Sequence, residues 1–188
     1  GEARLIQGQY KHLYWGTEFH NIELTADGDS TGSLTMKGTA DDGAEGKLEL
    51  QGAVALSEPD RPTGWLTVSL RNVHALARDE LNGEVSADIR LEGDLEATTM
   101  SGETRVERME ILIPDRLPPS VVELQVEEIG QAKEQRPETP AAAGPETRLD
   151  LTVDMPARVF VRGRGLDSEW GGELKITGTS RKPIILGA

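Results

Sequence analysis

Residues 158–178 read RVFVRGRGLDSEWGGELKITG, and their pattern decides the fold. Val159 and Val161 alternate with Arg158, Phe160 and Arg162. The chain then breaks at Gly163 and Gly165 and restarts after Gly171-Gly172 as Glu173-Leu174-Lys175-Ile176. Period-two alternation on both sides of a glycine-rich break predicts a β-hairpin. The closing motif of this stretch, Leu174–Gly178, is apolar, polar, apolar, polar, glycine, and it recurs in Leu34–Gly38, Leu48–Gly52 and Ile89–Gly93. The repetition predicts an all-β chain built as one long sheet.

Working outward, most of the chain repeats that rhythm. Residues 3–24 are the least regular part and predict two or three short strands, followed by a turn at Asp27-Gly28-Asp29. Strands are expected over 33–40, 47–56 and 65–73, with turns at Asp41-Asp42-Gly43 and a loop over Glu58–Pro62. Residues 75–81 allow one helical turn or a β-loop. Glu84–Ala97 is the cleanest alternation and predicts a single strand of about 45 Å, long for a small barrel but suited to an elongated sheet. Val106 is even whereas Met109, Ile111 and Ile113 are odd, which places a bulge near Glu107-Arg108. Pro114–Pro119 reads as a loop and Val121–Val126 as a further strand. Gly130–Thr147, with three prolines, two glycines and no large apolar residue, is expected to be a flexible insertion within a single elongated domain spanning residues 1–188.

One face collects the apolar residues. It comprises Leu34, Met36, Leu48, Leu50, Val54, Leu66, Val68, Leu70, Val85, Ile89, Leu91, Leu95, Leu149, Leu151, Val153, Val159, Val161, Leu174 and Ile176. Aromatic residues make up only 4% of the chain, so this face suits a thin extended surface better than a thick core. The repeat glycines point to the same face. Either they let the sheet curl around its apolar side, or each ends a strand before a turn. The second reading fits Gly38 and fits Gly93 poorly, because Leu95 continues the alternation.

Composition excludes several functions. With 33 acidic against 20 basic residues, the net charge of −13 disfavours nucleic acid and anionic membrane surfaces. Without cysteine there is no disulfide framework and no thiolate zinc site, which fits cytosol or periplasm alike. No apolar run approaches the roughly 20 residues that span a bilayer. The chain begins at Gly1 rather than Met and reads as a piece of something longer. The three histidines are scattered, and Glu18 with His20 is short of a metal site. Gly163-Arg164-Gly165 lacks the further glycine of a phosphate loop, and Asp167 and Glu169 read as an acidic hairpin turn. Trp15, Trp65 and Trp170 read as strand-end packing residues. No cofactor is expected, and nothing argues for an enzyme.

The stretch Met155–Thr179, together with Ala44–Gly52, Leu91–Leu95 and Met109–Pro114, resembles the C-terminal domain of the TamB family. That resemblance implies a curled sheet, the β-taco, whose apolar face lines an open groove. It further implies a periplasmic protein of a Gram-negative envelope, its parent anchored in the inner membrane. The clients implied are phospholipid acyl chains or unfolded outer-membrane protein strands. A BamA/TamA-like outer-membrane partner would be met through a segment outside this chain. From the residues themselves three readings stay open: a lipid conduit, a cradle for unfolded β-barrel strands, and a closed structural solenoid.

Overall fold

Alternating apolar and polar residues become strands throughout the described residues, which in this computed structural model are 1–56, 61–94, 96–114 and 146–187. The strands are β1 (Glu2–Lys11), β2 (Glu18–Gly28), β3 (Ser33–Asp41), β4 (Lys47–Ala55), β5 (Thr63–Arg78), β6 (Leu81–Gly93), β7 (Ala97–Leu112), β8 (Glu146–Gly163), β9 (Leu166–Thr179) and β10 (Lys182–Gly187). They form one open sheet in sequence order, antiparallel except for the parallel pair β7–β8. Among the described residues the sheet is curled and does not close: β1 pairs only with β2, and β10 only with β9.

Several boundaries differ from the sequence reading, each for a local reason. The stretch 84–97 is not one strand. Asp94 Oδ1 accepts the amides of Glu96 and Ala97, and Gly93 sits at φ 145°, so the chain reverses between β6 and β7. Gly93 therefore ends a strand, whereas Gly38 and Gly52 lie inside β3 and β4, the reverse of what the alternation suggested for Gly38 and Gly93. A Cβ at Gly52 would lie 2.9 Å from the Trp65 carbonyl oxygen, so the glycine is required by close approach of β5. Residues 75–78 extend β5 and form no helical turn. β9 starts at Leu166 and runs through Gly171-Gly172, because Arg164 (φ 51°) and Gly165 (φ 83°) make the two-residue turn; Asp167 and Glu169 are strand residues. Glu146 and Thr147 open β8. Leu95, most of the loops expected over 58–62 and 114–119, the strand expected over 121–126 and the insertion up to residue 145 lie outside the described residues.

The expected bulge is present: Val85 pairs with Val106 and Glu84 with Arg108, leaving Glu107 as the extra residue. It is one of a set. Register shifts also occur between Leu5 and Gly8 in β1, His20 and Glu23 in β2, Leu70 and Val73 in β5, and Met155 and Val159 in β8. Four of these contain a non-glycine residue at positive φ: Gln7, Asn21, Asn72 and Ala157. Through the pairing they fall at one level of the sheet, the level at which β3 and β4 end in the turn 42–46. A bulge bends its strand and sharpens its twist. Bulges aligned across neighbouring strands therefore crease the sheet along one line.

The buried hydrophobic residues gather along this crease: Ala40, Val73, Ala87, Val106 and Val159, with Val73 only 1% exposed. Asp42 locks the short β3–β4 hairpin onto it. Its Oδ2 accepts the His74 amide at 3.0 Å and lies 2.7 Å from His74 Nδ1, while Oδ1 accepts the amides of Ala44 and Gly46. Burial raises the Asp42 pKa, but these hydrogen bonds outweigh it and bring the carboxyl down to about 2.

Candidate functional site: the apolar face of the sheet

On one side of the crease the register is regular, and paired residues share a face. One row runs through all ten strands: Leu5, Leu24, Gly38, Leu50, Val68, Ile89, Gly102, Leu151, Ile176 and Ile185. The next contains Ala26, Met36, Gly52, Leu66, Leu91, Met100, Leu149 and Gly178. A third carries Ala40, Leu48, Leu70, Ala87, Thr104, Val153 and Leu174. These rows contain no charged residue.

Every residue assigned to the apolar face from sequence lies on it, save Leu95, which is outside the described residues. Leu34 and Val54 pair with each other, and Val85, Val159 and Val161 continue the face beyond the crease. Apart from buried Val159 they are half-buried. A single sheet covers its apolar side chains only through their lateral neighbours, so much of this face is available to another apolar surface. An open hollow of about 380 Å³ lies on it, lined by Leu24, Met36, Leu50, Val54, Leu66 and Leu91, with Glu92 and Asp94 at its margin. That volume falls within the range of small-molecule sites.

Leu5, Leu24, Met100 and Ile185 were missed in the sequence. Leu24 sits in the irregular first segment. Met100 was hidden because the alternation of 84–97 ran straight through the β6–β7 turn. The recurrence of an apolar residue two places before Gly102 was the available signal.

The opposite face is a solvated lattice of charges. Arg71 binds both Asp88 oxygens at 2.9 Å, Arg90 reaches Glu92 at 2.8 Å and Arg108 reaches Glu110 at 2.6 Å. The hydrogen bonds from Arg71 and then Ser69 hold the Asp88 carboxyl below its ordinary pKa. Such exposed pairs contribute little stability each, and their role is to keep this face wet. The tryptophans are not the packing residues expected: Trp15 is 43%, Trp65 37% and Trp170 61% exposed. Arg90 stacks on Trp65 at 5.2 Å. Glu18 and His20 approach to 3.6 Å, and among the described residues no group of three or more His, Asp or Glu is placed to hold a metal.

A model of the TamB C-terminal domain matches residues 37–188, most of the chain. The chain belongs to the TamB family. No curated protein and no solved structure matches it significantly. Membership places this TamB domain in the periplasm as part of an envelope protein, in the setting of outer-membrane assembly and lipid transport. The TamB family is a transport and assembly component associated with outer-membrane assembly machinery rather than a known enzyme family. Among the described residues no helix is long and apolar enough to cross a membrane.

Proposed function

We propose that the apolar face is a lipid-carrying groove through which phospholipid acyl chains pass between the inner and outer membranes, in a parent anchored in the inner membrane. The single observation carrying this reading is the uncharged apolar row continuous across all ten strands. Burial gives about 0.8 kcal/mol per CH₂, so a 16-carbon chain needs roughly 12 kcal/mol of cover. A broad aliphatic face supplies that without specific polar contacts and so leaves the lipid free to move along it. The half-buried state of these side chains fits a surface that exchanges its cover, where a sealed solenoid would bury them.

A second reading, a cradle for unfolded outer-membrane β-strands, is favoured by the open edges. Ile184, Ile185 and Leu186 are each more than half exposed on β10, an edge strand among the described residues. Mass spectrometry of the organic extract of purified protein separates the two, with phospholipid expected. Leu91→Arg puts a guanidinium into the second apolar row. It is expected to abolish phospholipid co-purification while folding is retained, since the charge can snorkel to the open side. Glu49→Arg, on the opposite face and away from the hollow, is expected to leave lipid content unchanged. A lipid-free extract from the unmodified chain would overturn the groove reading.

A further inference from the structure

The β1–β2 connection presents its most apolar residues to water. Leu13 is 88%, Tyr14 62% and Trp15 43% exposed at the tip of the hairpin. The tip is held firmly. Within it, the Gly16 amide donates to the His12 carbonyl at 2.8 Å, the His12 amide donates to the Thr17 carbonyl at 2.8 Å, and the Trp15 amide donates to His12 Nδ1 at 3.2 Å. Because β3 and β4 stop at the crease, the tip passes them and docks on the far end of β5. The Ala77 amide donates to the Trp15 carbonyl at 3.0 Å, Thr17 Oγ1 donates to the Ala75 carbonyl and Arg78 donates to the Tyr14 carbonyl at 3.0 Å. Gly16, at φ 73°, fits against β5 only without a side chain: a Cβ there would lie 2.1 Å from the Ala77 oxygen. Tyr14 packs edge-on to Trp15 at 4.6 Å and lies under the Arg78 guanidinium at 5.1 Å.

Such a tip has its backbone satisfied and its side chains displayed. Exposure falls from Leu13 through the amphipathic rings of Tyr14 and Trp15, and the Arg78 guanidinium covers the Tyr14 ring. This is the order in which side chains partition through a bilayer interface, aliphatic deepest, aromatic rings at the headgroups, cations outermost. A protein hot spot seats its aromatic anchors in well-packed, desolvated pockets near the centre of a broad interface. A short hairpin connection whose side chains are this exposed instead suits a fluid surface that closes around it. Leu112 and Leu166, 51% and 46% exposed, sit at the same end of the sheet. We infer that the Leu13-Tyr14-Trp15 tip docks this domain on a lipid bilayer surface. The chain's net charge of −13 makes a zwitterionic bilayer the suitable surface. Docking of the tip is independent of what the apolar face carries.

The test uses the 188-residue chain and vesicles of phosphatidylcholine. Flotation is expected to carry the unmodified chain with the vesicles. Leu13→Asp is expected to lower partitioning at least about tenfold, the scale of returning one leucine side chain to water, with an unchanged melting curve. In a Trp65→Phe, Trp170→Phe chain, Trp15 is the only tryptophan, and lipids brominated along their acyl chains are expected to quench it. That measurement leaves the tip residues intact, so it decides the matter if Leu13→Asp fails to fold. Leu91→Arg is expected to lose bound lipid and keep flotation, which separates the tip from the apolar face. A chain that stays with the aqueous fraction, a Leu13→Asp chain that floats equally, or unquenched Trp15 would each overturn the inference.

Discussion

The regular panel and the crease are parts of the same strands, yet they carry different loads. In the panel, Leu50, Val68, Leu91 and Ile176 hold register and remain half-exposed. Along the crease, Val73, Val106 and Val159 are buried, and four residues endure positive φ. Stability is concentrated in a narrow band, and that concentration frees the panel to keep apolar surface uncovered.

The largest effect should come from placing a charge in the crease. Val73→Asp leaves an unpaired carboxylate at a position 1% exposed and is expected to unfold the chain, seen as loss of the cooperative thermal transition. The matching change in the panel, Leu91→Arg, keeps that transition. Equal collapse of both would erase the distinction between the two regions.

Next comes the clamp on the β3–β4 hairpin. The Asp42 carboxyl titrates at about 2 in the folded chain against an ordinary 3.8. A depressed acid stabilises the fold above its unfolded pKa, and that stabilisation fades as pH falls from about 4 through 2. About 2 kcal/mol is at stake, and Asp42→Asn is expected to lower stability at pH 7 while flattening its fall below pH 4. Urea melts at pH 7, 4 and 2.5 would show it. An unaltered acid profile in Asp42→Asn would mean that the hairpin is held by other contacts.

The smallest effect has opposite signs in the two regions. Ala157, at φ 47° in the β8 bulge, is strained; Ala157→Gly is expected to raise stability by up to about 1 kcal/mol. In the panel, Gly52→Ala pushes a methyl against the Trp65 carbonyl and is expected to cost about 1–3 kcal/mol. Calorimetry of the pair resolves the signs.

The panel was legible in sequence because period-two alternation and a half-buried face have the same origin. The crease was mostly not. Only Glu107 shifted the apolar phase enough to be noticed, since Val106 and Met109 flank it with opposite parity. At Asn21 and Asn72 the surrounding residues are too irregular in polarity to show a shift, and at Ala157 the flanking Met155 and Val159 keep the same parity. The turn at Asp94 was missed for a related reason: Leu95 happened to fall in phase, and capping by an aspartate leaves alternation untouched. The clamp between Asp42 and His74 joins residues 32 apart, and no local pattern announces such a contact.

The parallel pairing of β7 with β8 also has a kinetic side. β1–β7 and β8–β10 are two antiparallel meanders, each assembled from neighbouring hairpins. The seam between them joins residues about 50 positions apart, so its loop must close before any pairing rewards it. The meanders should therefore form first and zip together last. Until they do, the apolar edges of β7 and β8 stand open, and that interval is when this chain is most exposed to aggregation.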